Sequence, residues 1–131
     1  MFTLYLHPVW ENVLTTKEKN AYTDHLQTID CQKRGFFASP IRMKQKKNGG
    51  FVATVFIVNA TDNLVETKTM GVEVIDIEGS VVAAHNFTEN LIIPSQCSLP
   101  WSFVFPTNCI HAELSSAHSV EITVRTVSSE L

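Results

Sequence analysis

The chain has 131 residues, of which 44% are hydrophobic and 18% charged, with five glycines and five prolines. That length suits one domain built on a single core, and the composition excludes a disordered tail, a collagen-like chain and a flexible linker. Ten basic residues against thirteen acidic ones leave a net charge of −3, which argues against a surface given over to nucleic acid.

The charge is unevenly spread. Residues 31–61 carry six cations, Lys33, Arg34, Arg42, Lys44, Lys46 and Lys47, and no acid, whereas residues 62–131 set nine acids against Lys68 and Arg125. The first ten residues are apolar but lack a basic start, a continuous hydrophobic stretch and a small-residue cleavage site, so no signal peptide is expected. No apolar run reaches the roughly 18 residues of a membrane span. Cys31, Cys97 and Cys109 are odd in number and lack C-x-x-C spacing, which fits free thiols in a reducing compartment. The expected localisation is cytoplasmic. Asn59-Ala60-Thr61 and Asn86-Phe87-Thr88 match the glycosylation pattern, which is expected to be a chance match in a chain for which no secretion is expected.

In chain order, Phe2–Leu6 reads as a short strand closed by His7-Pro8. Thr15-Thr16-Lys17-Glu18 is a capping box, and Ala21, Tyr22, His25, Leu26 and Ile29 recur at helical spacing behind it. Residues 16–28 are therefore expected to form one amphipathic helix. From Gly35 the period becomes two. Phe36–Gln45 and Phe51–Thr61 read as strands joined by a turn at Lys46-Lys47-Asn48-Gly49-Gly50. Phe51–Thr61 is apolar at both parities, the pattern of a central strand covered on both faces.

Val65–Met70 reads as a weak strand and Val72–Ile77 as a stronger one, with a slip in apolar phase between Val74 and Ile75 that suggests a bulge or a second covered face. Val81–Phe87 follows the turn at Glu78-Gly79. Pro94 and Pro100 bracket a predicted loop, Trp101–Phe105 is an apolar strand ended by Pro106, and Val120–Arg125 alternates like a half-exposed strand. Seven or eight short strands predict a mainly β chain, an antiparallel β-sandwich of the immunoglobulin or fibronectin III kind with one short N-terminal helix. No second domain is expected within residues 1–131.

Three stretches carry a family resemblance. They are Leu6-His7-Pro8-Val9-Trp10-Glu11 with the Glu/Lys-rich helix and Tyr22; Val55-Phe56-Ile57-Val58-Asn59-Ala60-Thr61 with Val74-Ile75-Asp76-Ile77-Glu78-Gly79-Ser80-Val81-Val82-Ala83; and Ile93-Pro94-Ser95-Gln96-Cys97-Ser98-Leu99-Pro100-Trp101-Ser102-Phe103-Val104-Phe105-Pro106. Together they resemble the SLAP domain of Bacillus-type bacteria, with Pro100, Trp101, Phe103 and Phe105 as the most specific segment. The resemblance implies a part in assembly or accessory-Sec export of surface-layer proteins, with no enzyme activity and no catalytic residue. It also implies a protein partner, an export component or a secretion substrate. Members tied most closely to export look like tandem copies, and this chain carries one.

Residue by residue, little catalytic chemistry is expected. The five histidines, His7, His25, His85, His111 and His118, offer only Cys109-x-His111 as a local metal-ligand pair, short of the four ligands zinc takes. No nucleophile elbow or phosphate loop is present, so no metal, cofactor or catalytic site is expected. Arg42, Lys44 and Lys46 share one face of a strand by alternation, and Lys47 extends them into the turn. They are candidate binding residues for an acidic protein or a polyanion such as cell-wall polymer, with nucleic acid disfavoured for want of exposed aromatics. Their other reading is lysines that protect an edge strand. Trp10 and Trp101 are expected to close one end of the core, and exposed strand edges leave a homodimer open.

Overall fold

The structure is a computed structural model that describes residues 2–29, 32–47, 49–76, 78–110 and 121–126. Expectations that fall on Cys31, Asn48, Ile77, His111, His118 and Val120 lie outside the described residues.

The described chain runs β1 (Thr3–Leu4), α1 (Pro8–Glu11), α2 (Thr16–Leu26), β2 (Gly35–Gln45), β3 (Phe51–Ala60), β4 (Val65–Glu66), β5 (Thr69–Ile75), β6 (Val81–Thr88), β7 (Ile92–Ile93), β8 (Cys97–Phe105), a 3-10 turn at Thr107–Cys109, and β9 (Glu121–Thr126). One sheet has the order β1-β8-β3-β2 and a second the order β6-β5-β9, while β4 and β7 form a two-stranded ribbon. The protein is mainly β, as expected, with its two larger sheets packed face to face. Ala53, Val55 and Ile57 of β3 lie in one buried cluster with Met70, Val72 and Val74 of β5, Phe103 and Phe105 of β8, and Ile122 and Val124 of β9.

The other face of β3 is also covered. Phe56, Val58 and Ala60 pack with Phe2, Tyr22 and Leu26 in a second cluster, so the sheet lies between a sheet and a helix layer. This double covering is what the unbroken apolar run of Phe51–Ala60 requires, because each parity needs its own partner. α2 begins at the expected capping box: the Thr15 hydroxyl accepts from Glu18 N–H at 3.1 Å, and Thr15 N–H donates to the Glu18 carboxylate at 2.9 Å. The helix ends at Leu26, two residues before the predicted boundary of 28.

Several expectations are corrected. The predicted Val65–Met70 strand is split: Val65 and Glu66 pair with Ile93 and Ile92, whereas Thr69 and Met70 begin β5. Buried Thr67 marks the break, its hydroxyl donating to Glu89 C=O at 2.7 Å and accepting from Leu91 N–H at 3.0 Å. The proposed loop between Pro94 and Pro100 is shorter than expected, because β8 starts at Cys97. Pro100 is tolerated inside that strand by its position. Ser98 C=O accepts from Tyr5 N–H of the segment after β1, and backbone direction alternates along a strand. Pro100 therefore turns its ring nitrogen away from β3, toward the sheet edge, where no ladder bond is lost.

The slip between Val74 and Ile75 is a register irregularity, as predicted, but the extra residue sits on the partner strand: Val74 pairs with Ala83 and Ile75 with Val81. A second irregularity, between Pro40 and Arg42, has no signal in the hydrophobic pattern. β1 departs from an all-antiparallel arrangement, running parallel to β8, and the four-residue α1 is a second helical turn that the sequence reading lacks.

Candidate functional site

Among the described residues, the outer edge of β8 and the basic end of the β2–β3 hairpin both leave recognition chemistry exposed. β1 covers β8 only at Cys97 and Ser98. By the alternation set at Ser98, the backbone groups of Ser102 and Val104 point off the sheet, and no backbone bond to them is found from other described residues. The side chain of Val104 is 48% exposed. This stretch is an unfinished ladder, the kind of template that an extended segment can join.

α1 stands beside the same strand. His7 caps it, its Nδ1 accepting from Val9 N–H at 3.2 Å, and Pro8 fills the first turn where no N–H is needed. Trp10 stacks on Trp101 with ring centroids 6.2 Å apart and planes 16° from parallel, while the His7 ring meets Trp101 edge-on at 5.2 Å. Both tryptophans are half-buried. Trp10 packs on the helix-side cluster and Trp101 on the inter-sheet cluster, so the stack bridges the two. Pro100, Phe103 and Phe105, the rest of the expected motif, are buried, with Phe103 and Phe105 in the inter-sheet core. Val9 and Val13 of this amino-terminal segment are exposed.

The cationic residues separate into two environments. Arg42 follows the irregularity of β2, pairs in register with Thr54, and donates from its guanidinium to the Tyr22 hydroxyl at 3.2 Å. It borders a recess of about 230 Å³ lined also by Glu18, His25 and Ile41. Thr15 N–H and the Thr15 hydroxyl, with a smaller contribution from Arg42, hold the Glu18 carboxyl below its ordinary value. Lys44 is on the same face as Arg42, two strand positions further, and Lys44, Lys46 and Lys47 are exposed. The predicted common face thus holds for Arg42 and Lys44, while Lys46 already belongs to the turn. Phe36, Phe37 and Phe51 all pack on the hydrophobic clusters.

Gly49, in that turn, has φ +89°, and a Cβ there would come within 2.8 Å of the Thr107 methyl. Glycine is needed for both reasons. The hairpin turn thus passes close to the 3-10 turn after β8.

That 3-10 turn contains a pair with no sequence signal. Cys109 Sγ lies 3.1 Å from His85 Nδ1, joining residues 24 positions apart. The expected neighbour in sequence, His111, is outside the described residues. Cys97 is half-buried, and burial pushes its thiol up. Among the described residues no group of three or more His, Cys, Asp or Glu side chains converges as a metal site. Asn59 of the first glycosylation pattern is fully buried; its amide donates to Asn63 C=O and Ile93 C=O, each at 2.8 Å, which closes it to modification. Among the described residues no helix is long and apolar enough to cross a membrane.

The family model for the SLAP domain matches residues 4–126. The chain belongs to the SLAP domain family, and the match runs from β1 to the end of β9. No curated protein and no solved structure matched it.

Proposed function

We propose that this domain is a non-enzymatic protein-interaction module serving the assembly or accessory-Sec export of surface-layer proteins. The family name supports the process. The observation that carries the mode of binding is the open edge of β8 from Ser102 to Val104. An extended segment of an export component or an exported protein adds there as a further strand. Main-chain hydrogen bonds supply affinity without demanding one client sequence, and the exposed Val104 offers an apolar contact.

The test is affinity capture at moderate salt from a surface-layer-producing bacterium, comparing wild type with Val104→Pro. Proline deletes one outward N–H on an edge that already accepts Pro100, so the fold is expected to survive. Wild type should retain exported surface proteins or accessory-Sec components that the variant loses. Capture of neither class, or equal capture by a folded variant, overturns the proposal.

The exposure of Lys44, Lys46 and Lys47 supports a second reading, contact with a polyanion such as cell-wall polymer. It predicts binding that falls steeply with salt and is abolished by replacing those lysines with alanine, while Val104→Pro binds normally.

A further inference from the structure

Outside the open edge, the described structure brings one nucleophile and one base into contact. Cys109 ends the 3-10 turn over β6, and Ile110 bridges to Ala83 of that strand, which holds the turn against it. His85 projects from β6, and its ring is seated edge-on against Phe87 at 4.6 Å between centroids. Phe87 in turn packs on Phe103 and Phe105 of the inter-sheet core at 4.9 and 5.1 Å. The imidazole is thus anchored to the rigid part of the molecule. Its Nδ1 faces Cys109 Sγ at 3.1 Å, and both side chains remain partly accessible.

We propose that Cys109, activated by His85, is a reversible thiol-modification site that forms mixed disulfides with low-molecular-weight disulfides. With the ring proton on Nε2, Nδ1 accepts the Sγ–H proton. The thiolate attacks one sulfur of the disulfide RS–SR, a new Sγ–S bond forms, and the S–S bond breaks. The displaced RS⁻ takes the proton from the imidazolium and leaves as RSH. Cys109 is oxidised, one RS group is reduced, and no other redox partner is needed. A thiol within hydrogen-bond reach of an imidazole base, in a partly exposed place, is the arrangement that makes cysteines reactive.

Cys97 is an internal control. It is half-buried like Cys109 but touches no imidazole among the described residues, and its burial disfavours the thiolate.

The experiment treats the reduced full chain with oxidised glutathione and follows adduct formation by intact mass, with peptide mapping to separate Cys31, Cys97 and Cys109. Cys109 should acquire glutathione roughly tenfold faster than Cys97, and dithiothreitol should remove it. His85→Ala should bring the Cys109 rate down to that of Cys97 and leave the Cys97 rate unchanged. A matching thermal transition for the variant shows that the fold survives; should it not, His85→Gln, which preserves side-chain bulk, takes its place. A Cys109 rate no higher than that of Cys97, or one unmoved in a folded His85 variant, overturns the proposal. So does a Cys109 rate no faster in the native chain than in the same chain in urea, since the pair exists only when folded.

Discussion

The inner face of β3 meets a whole second sheet, whereas its outer face meets one helix of eleven residues and the amino-terminal segment. The inner layer is rich in Val, Ile, Leu and Phe drawn from six strands. The outer layer relies on aromatic side chains: Tyr22 meets Phe56 at 6.2 Å, Trp10 meets Tyr22 at 5.9 Å, and Phe2 meets Phe37 at 6.3 Å. Several of its members, Leu4, Trp10, Leu14 and Ile41, are only partly buried. A layer with fewer closed contacts opens at lower free energy than a fully enclosed core. The difference separates the part of the molecule that keeps it folded from the part that can loosen beside the open edge of β8.

The largest effects should distinguish the two layers. Phe103→Ala deletes a ring enclosed between the sheets and is expected to cost about 3–5 kcal/mol, a large share of the stability of a domain of this size. Trp101→Ala removes the link between layers and is expected to cost about 3 kcal/mol. It should also change the fluorescence of Trp10. Denaturant titration followed separately by backbone circular dichroism and by tryptophan emission checks both, and a Trp101→Ala protein that melts like wild type would show that the stack joins nothing.

A smaller effect should stay within the outer layer. Thr15→Ala leaves Glu18 N–H without its cap and is expected to cost about 1 kcal/mol. Hydrogen exchange should quicken in α2 while β3 and β5 keep their protection. Equal acceleration in all three would mean that the layers open together.

The smallest effect is a pH response. The Glu18 carboxyl is held below its ordinary value of 4.5, chiefly by its bonds to Thr15. Its folded form therefore binds its proton less readily than the unfolded chain. The stabilisation is fully present above about 4.5 and fades as pH falls through the lowered value. Helical signal from α2 should decline slightly on acidification, and Glu18→Gln should flatten that decline.

Much of the fold was legible because its cause is local. A period of two marked β2, the turn at Glu78-Gly79 placed β6, the doubled apolar parity marked β3 as covered twice, and Thr15 with Glu18 located the start of α2. What was hidden depends on distant partners. Ile92 and Ile93 become a strand only because Val65 and Glu66 lie opposite them. Pro100 reads as a breaker until the direction of its nitrogen at the sheet edge is known. The contact of Cys109 with His85 joins the turn after β8 to β6, and no local spacing announces it. The cationic stripe was read correctly between Arg42 and Lys44, yet the engagement of Arg42 by Tyr22 needed α2 to be docked. Open edges are visible only once the order of strands is known.

The parallel pairing of β1 with β8 also has a consequence for the order in which the fold assembles. Thr3 stands beside Cys97, and central strands β3 and β5 wait for β8 and β9 on one side. β1 therefore has no ladder partner until the sequence-distant β8 is in place. The β2–β3 hairpin can close early, but completing either sheet depends on sequence-distant pairing, which slows folding. Until β8 docks, the edge of β3 that it will cover stays open to other chains.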